Sequence, residues 1–130
     1  LAQQLRECQA YSTGWLISAG QILAQYQRQT NHGQMTAIHN AGRLPWGQRY
    51  CQVLASLARN PTLSDPRMLQ NLPSSVAALE IIANYLDADL IQEGVRRGLL
   101  HPRLTRRTAV DVCRKMRTES LLRNPTIALP

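Results

Sequence analysis

The chain contains no phenylalanine, and its only aromatic residues are two tryptophans and four tyrosines. Its core is therefore expected to be aliphatic. Lysine is nearly missing too, since fourteen of the fifteen basic residues are arginine. No apolar run approaches the roughly 18 residues of a membrane-spanning helix, and no basic segment followed by an apolar run opens the chain as an intact signal peptide would. A soluble protein with no membrane partner is expected. Cysteine is scarce: Cys8, Cys51 and Cys113 are odd in number, far apart and set among apolar neighbours. They read as buried free thiols of a reducing compartment rather than as a disulfide. They form no CxxC or HxxxH pattern with His32, His39 or His101, so no metal site is expected. Also lacking are a glycine-rich phosphate loop, GxSxG, HExxH and closely paired carboxylates on an apolar surface. His39 beside Asn40 reads as a helix-surface or partly buried histidine, and Asp87 and Asp89 as the start of a helix. The expectation is no enzyme, no catalytic residue and no cofactor.

The 130 residues suffice for one domain with a sizeable core. Because the first residue is Leu1, the chain is expected to be a fragment or a processed product. The net charge of +7 is unevenly placed. Residues 1–93 hold six basic and six acidic groups, and residues 94–130 hold nine basic and two acidic. The whole excess lies in the last part of the chain. Arginine pairs with phosphate through a planar fork and stacks on bases, so an anionic polymer is the natural partner; a basic end can also bind a membrane surface or an acidic protein.

Residues 33–59, GQMTAIHNAGRLPWGQRYCQVLASLAR, read as two short helices joined by a tight turn. Met35, Ile38 and His39 stand at helical spacing, and Gly42 can take the left-handed conformation that ends a helix. From Gln48, the residues Tyr50, Val53, Leu54 and Leu57 make one apolar stripe, while Gln48, Arg49, Gln52, Ser56 and Arg59 fall opposite. Glutamine and arginine near a helix N-terminus are suited to paired hydrogen bonds with adenine and guanine edges in the major groove. The same pattern also describes an ordinary solvated helix face.

Residues 1–28 read as one long helix, with Leu5, Cys8, Ser12, Trp15, Leu16, Ala19, Ile22, Leu23 and Tyr26 on the apolar side. Gly14 and Gly20 weaken it by about 1 kcal/mol each relative to alanine, which implies close packing or a bend. That side is expected to face the core ahead of serving as a dimer seam. Further on, Ser64 is expected to cap a short helix with Pro66 in its first turn, ending before Pro73. Ser74 or Ser75 opens a segment, VAALEIIANYL, apolar almost all round, which predicts a central helix surrounded by neighbours. Asp87 caps the next helix, in which Glu93 and Arg97 form an outward pair and which Gly98 ends. Thr105 caps the last, with Ala109, Val112, Cys113 and Met116 inward and Arg107, Asp111, Arg114 and Lys115 outward. Residues 121–130 read as a tail. No alternating strand pattern is present, so the fold class is all-α: a multi-helix bundle with a helix-turn-helix and a long N-terminal helix.

The order of these pieces resembles the DNA-binding region of the ParB/KorB family and of similar phage- and plasmid-borne proteins. The residues that carry the resemblance are the His32-Gly33 turn, the Leu44-Pro45-Trp46-Gly47 linker, the helix from Gln48, Leu72-Pro73-Ser74-Ser75 with its apolar helix, and the break at Arg103-Leu104-Thr105. It spans residues 30–118, leaving residues 1–29 as a packing or dimerisation helix and residues 119–130 as a tail or linker. The resemblance implies that the helix from Gln48 enters the major groove while later helices brace it and touch the backbone. Gln48, Arg49 and Gln52 are then base-reading candidates, with Arg43 and Arg59 beside the phosphates. Gly47 departs from the serine or threonine expected as the cap of a reading helix. The family's nucleotide-binding region is not visible, so no CTP binding is inferred.

Specificity is thus expected from Gln48, Arg49 and Gln52, and most of the affinity from arginines beyond Gly94. The backbone candidates are Arg103, Arg106, Arg107, Arg114 and Lys115, together with Arg43 and Arg59. The expected role is transcriptional regulation or DNA partition by a cytoplasmic, bacterial, plasmid- or phage-encoded homodimer on double-stranded DNA. The alternative is a protein-interaction module that docks through its N-terminal helix and binds an acidic surface through its arginine-rich end.

Overall fold

A computed structural model describes the backbone of residues 2–29, 32–42 and 46–123, and the side chains of residues 12–29, 33–34, 36–38, 40–42 and 46–123. Among these residues there are six α-helices and no strand: α1 Ala2–Gln29, α2 His32–Asn40, α3 Gln48–Ala58, α4 Val76–Tyr85, α5 Ala88–Arg96 and α6 Arg106–Arg123. One 3-10 helix, Pro66–Asn71, lies between α3 and α4. The fold is all-α with a long N-terminal helix.

Local chemistry explains most helix ends. The Ser75 hydroxyl accepts from the Ala78 N–H at 3.2 Å to open α4, and the Asp87 carboxylate accepts from the Leu90 N–H at 2.9 Å to open α5. At α6 the cap is reciprocal: the Thr108 N–H donates to Thr105 Oγ1 and the Thr105 N–H to Thr108 Oγ1. Gly98 ends α5 at φ +74°, with its N–H on the Val95 carbonyl and the Leu99 N–H on the Gly94 carbonyl. Gly42, at φ +66°, follows the end of α2. The 3-10 helix is capped by Asp65, which accepts from the Arg67 N–H at 3.0 Å, and not by Ser64. Ser64 instead donates to the Ala58 carbonyl at 2.7 Å, which closes the turn after α3.

The core is aliphatic and has a short list of anchors, with Leu54, Leu63, Leu72, Leu79, Ile82, Ile91, Leu100 and Met116 fully buried. Cys51 and Cys113 are buried free thiols, while the Cys8 side chain lies outside the described residues. α1 lies across α3 and the 3-10 helix, α3 neighbours α4, and α4 packs on α6. The crossing of α1 and α3 is set by Gly20, where any Cβ would collide with the Leu54 carbonyl and stand 3.0 Å from the Ala58 Cβ. The buried Thr13 hydroxyl joins α1 to the start of α4 through the Leu72 carbonyl, 3.3 Å away, and Ser74 Oγ, 3.0 Å away.

This crossing corrects the expected face of α1. Its buried residues are Thr13, Leu16, Ile17, Gly20, Leu23 and Ala24, whereas Ser12, Trp15, Ile22 and Tyr26 are exposed. The small residues Gly20 and Ala24 let α3 approach closely, so the contact is centred on them: Leu16 and Leu23 of the expected stripe are buried, Trp15, Ile22 and Tyr26 are turned outward, and the Leu5 and Cys8 side chains lie outside the described residues. The same effect moves Tyr50 out of the α3 stripe: it is exposed, and Cys51 and Ala55 are buried in its place beside Leu54 and Leu57. α4 does sit between α3 and α6, but its outer residues Ala77 and Asn84 are exposed, so it is not surrounded. Glu93 pairs with Arg96 and Arg123 rather than with Arg97, which turns to Glu119. α6 runs on through Arg123, so residues 121–123 belong to that helix rather than to a tail. The link between α2 and α3, residues 41–47, exceeds the compact turn of about three or four residues. Within it Trp46 is held by Trp15 and Tyr50, and α3 starts only at Gln48.

Candidate nucleic-acid interface

α3 is pinned on its buried side by α1 and on one flank by α4, which leaves Gln48, Arg49, Gln52, Ser56 and Arg59 exposed. Gly47 begins the helix with no side-chain cap. A groove runs between α3 and α4. Arg49, Gln52, Val53 and Ser56 form one wall, and Glu80, Ala83 and Asn84 the other. Towards the start of α3 it continues past Gly47, Gln48 and Tyr50 opposite Val76 and Ala77. Across this groove the Arg49 guanidinium meets the Glu80 carboxylate at 3.5 Å, with the Arg49 side chain largely in solvent. An exposed pair of this kind is worth little, on the order of 0–1 kcal/mol, so it orients Arg49 without holding it. The three base-reading candidates are therefore together on one accessible edge, with one acidic group beside them.

The backbone candidates divide. Arg43 lies outside the described residues. Arg59 donates from Nη2 to Gln27 Oε1 at 2.8 Å, which ties the end of α3 to α1 and holds this arginine beside the reading edge. Arg103, Arg106, Arg107, Arg114 and Lys115 are all exposed, and none makes an ion pair within 4.0 Å among the described residues. The turn that leads into this group is shaped by His101, whose Nδ1 accepts from the Arg103 N–H at 3.1 Å. At the other end of α6 the cations are matched. Glu93 meets Arg96 at 3.7 Å and Arg123 at 3.3 Å, and Glu119 meets Arg97 at 3.1 Å. The Glu93 carboxyl is held below its ordinary range, chiefly by the hydrogen bond from Arg123 and then by the surrounding guanidinium charges. Arg117 lies over the Tyr85 ring, 5.8 Å from its centroid, and links α6 to α4.

Among the described residues, cations without an ion pair are thus gathered at the start and middle of α6, and α4 borders both that helix and α3 with its reading edge. α4 is the spacer between them, and its exposed Ala77 and Asn84 bring no charge. Sequence reasoning missed Glu80 and Asn84 as the wall facing α3. The available signal was Glu80 itself, the lone charged residue of VAALEIIANYL. It also missed Arg117, whose partner Tyr85 is brought to it only by the packing of α4 on α6. Among the described residues no three His, Cys, Asp or Glu side chains converge as metal ligands would. No helix among them is long and apolar enough to cross a membrane. The His39 side chain lies outside the described residues. Compared with protein-family models, with curated proteins and with solved structures, the chain matches none.

Proposed function

We propose that this chain binds double-stranded DNA in a sequence-specific manner, as a homodimer on a symmetric or repeated site. The observation that carries the reading is the set of five exposed cations that make no ion pair among the described residues, Arg103, Arg106, Arg107, Arg114 and Lys115, against Arg123 at the opposite end of the same helix and Arg96 and Arg97 at the end of α5, which are matched by Glu93 and Glu119. Phosphate contacts need cations that are not already neutralised. Further support comes from Gln48, Arg49 and Gln52 sharing one accessible edge of α3, since these side chains can pair with base edges. The resemblance of the helix order to ParB/KorB-type domains points the same way, towards transcriptional regulation or plasmid or phage DNA partition in a bacterial cytoplasm.

The test is binding to duplex DNA selected from a random pool, measured over a range of salt. The expected result is a palindromic or repeated consensus and an affinity that falls steeply and log-linearly with salt. Binding that is undetectable, or that ignores salt, overturns the proposal. A second reading, an interaction module that docks through α1 and meets an acidic surface with α6, draws on the exposed Trp15, Ile22 and Tyr26. It predicts a protein partner whose binding is lost on replacing those residues while DNA affinity is nil.

A further inference from the structure

The two members of the ion pair across the α3–α4 groove are unlike. The Arg49 side chain is 82% exposed, while that of Glu80 is 33% exposed and forms part of the groove wall. The acid is the fixed member. It is the lone charged residue of α4, and the fully buried Leu79 and Ile82 on either side of it lock the register of that helix. Both stretches of the groove include Arg49, Val53 and Glu80, so the carboxylate stands where they join, with Gln48 along one stretch and Gln52 and Ser56 along the other. Arg49 lies in the first turn of α3, where the helix dipole disfavours a cation and no acid of α3 itself offsets it. Glu80 provides that offset from the neighbouring helix.

An ion pair with so exposed a member does little for stability. Its consequence falls on what Arg49 can meet. The Glu80 contact engages Nη2 at 3.5 Å, which leaves other donors of the planar guanidinium free to fork onto guanine N7 and O6. A phosphate is a different visitor. Bringing one to Arg49 sets it beside the Glu80 carboxylate, two anions together, whereas a base edge is neutral and meets no such repulsion. Arg103, Arg106, Arg107, Arg114 and Lys115, which make no ion pair among the described residues, have no such filter. We propose that Glu80 is a specificity-determining, positioning residue: it aims Arg49 at a guanine edge in the major groove and turns it away from phosphate. The inference rests on the DNA-binding reading and assigns to one carboxylate the discrimination that Arg49 delivers.

The experiment measures binding of the full chain, over a range of salt, to the consensus duplex selected from a random pool and to a scrambled duplex. The chains are wild type, Glu80→Gln, Arg49→Ala, the double variant, and Asp111→Asn, which removes the same charge from an exposed position on α6. Glu80→Gln is expected to lower the ratio of consensus to scrambled affinity about tenfold, mainly by tighter binding of the scrambled duplex, whose salt slope steepens by about 1 as Arg49 takes a phosphate. Its melting temperature should stay close to wild type, so that the lost ratio is not a lost fold. In the Arg49→Ala background the effect of Glu80→Gln on the ratio should vanish, and Asp111→Asn should change both duplexes alike. Replacing the guanine that Arg49 reads by 7-deazaguanine, which lacks N7, should weaken wild type more than Glu80→Gln. A ratio unchanged in Glu80→Gln, or a change that persists without Arg49, overturns the positioning role and leaves DNA binding standing. A wild type that binds neither duplex, or selects no consensus, removes the DNA reading and this inference with it.

Discussion

Gly20 of α1 lies directly against the peptide backbone of Leu54 in α3, so closely that a Cβ would stand 2.8 Å from the Leu54 carbonyl carbon. The obstacle is main chain, which cannot rotate aside as a side chain would. Gly20→Ala is therefore expected to destabilise the fold by about 1–3 kcal/mol, although alanine is the better helix former. Urea unfolding checks it; a variant as stable as wild type would show that α1 and α3 can separate at no cost.

Asp87 is the clearest isolated cap. Its carboxylate accepts from the Leu90 N–H at 2.9 Å in an exposed position, away from the candidate interface. Asp87→Ala should cost about 1 kcal/mol, and Asp87→Ser should recover most of it. The comparison of melting temperatures for the pair separates loss of a cap from loss of charge.

The Glu93–Arg123 contact makes stability depend on acid. The folded-state pKa of Glu93 is lowered, so its contribution is fully present above the ordinary carboxyl value of 4.5 and is lost as pH falls through the depressed value. Wild type should exceed Glu93→Gln in melting temperature at neutral pH, with the gap closing below that point. A gap that persists unchanged into acid would mean that ionisation is not what Glu93 supplies.

Burial pushes the Cys113 thiol from 9.0 up to about 11. The unfolded chain loses this proton first, so stability should decline as pH rises between those two values. At neutral pH the folded thiol should also resist alkylation until the chain opens, which peptide mapping of modified cysteines would record. Prompt modification of Cys113 in the folded protein contradicts its burial.

Arg49 and Arg114 should separate in DNA binding, if the proposed function holds. Arg114→Ala is expected to weaken all duplexes alike and to reduce the salt slope by about 1. Arg49→Ala should mainly erode discrimination between sites, by about 1–3 kcal/mol at the base it reads. Glu80→Gln removes the carboxylate 3.5 Å from Arg49 and should raise affinity for random duplex. Binding assays on cognate and scrambled duplexes decide this; equal losses for Arg49→Ala and Arg114→Ala on both would erase the division of labour.

Much of the architecture could be read from the sequence alone, because the information was local. Ser75, Asp87, Thr105 and Gly98 set helix ends through bonds that span only a few residues, and the lack of phenylalanine required an aliphatic core. The exposed edge of Gln48, Arg49 and Gln52 also followed from helical spacing. Tertiary structure alone decided which flank of α1 is buried, because the approach of α3 depends on Gly20 meeting residues more than thirty positions away. It likewise decided which arginines remain free. Glu93 finds Arg123 across thirty positions of chain once α5 and α6 pack together, and Arg103, Arg106, Arg107, Arg114 and Lys115 are left without an ion pair among the described residues. Composition counts charges, but neutralisation depends on distances of a few ångströms, which only the packing of helices sets.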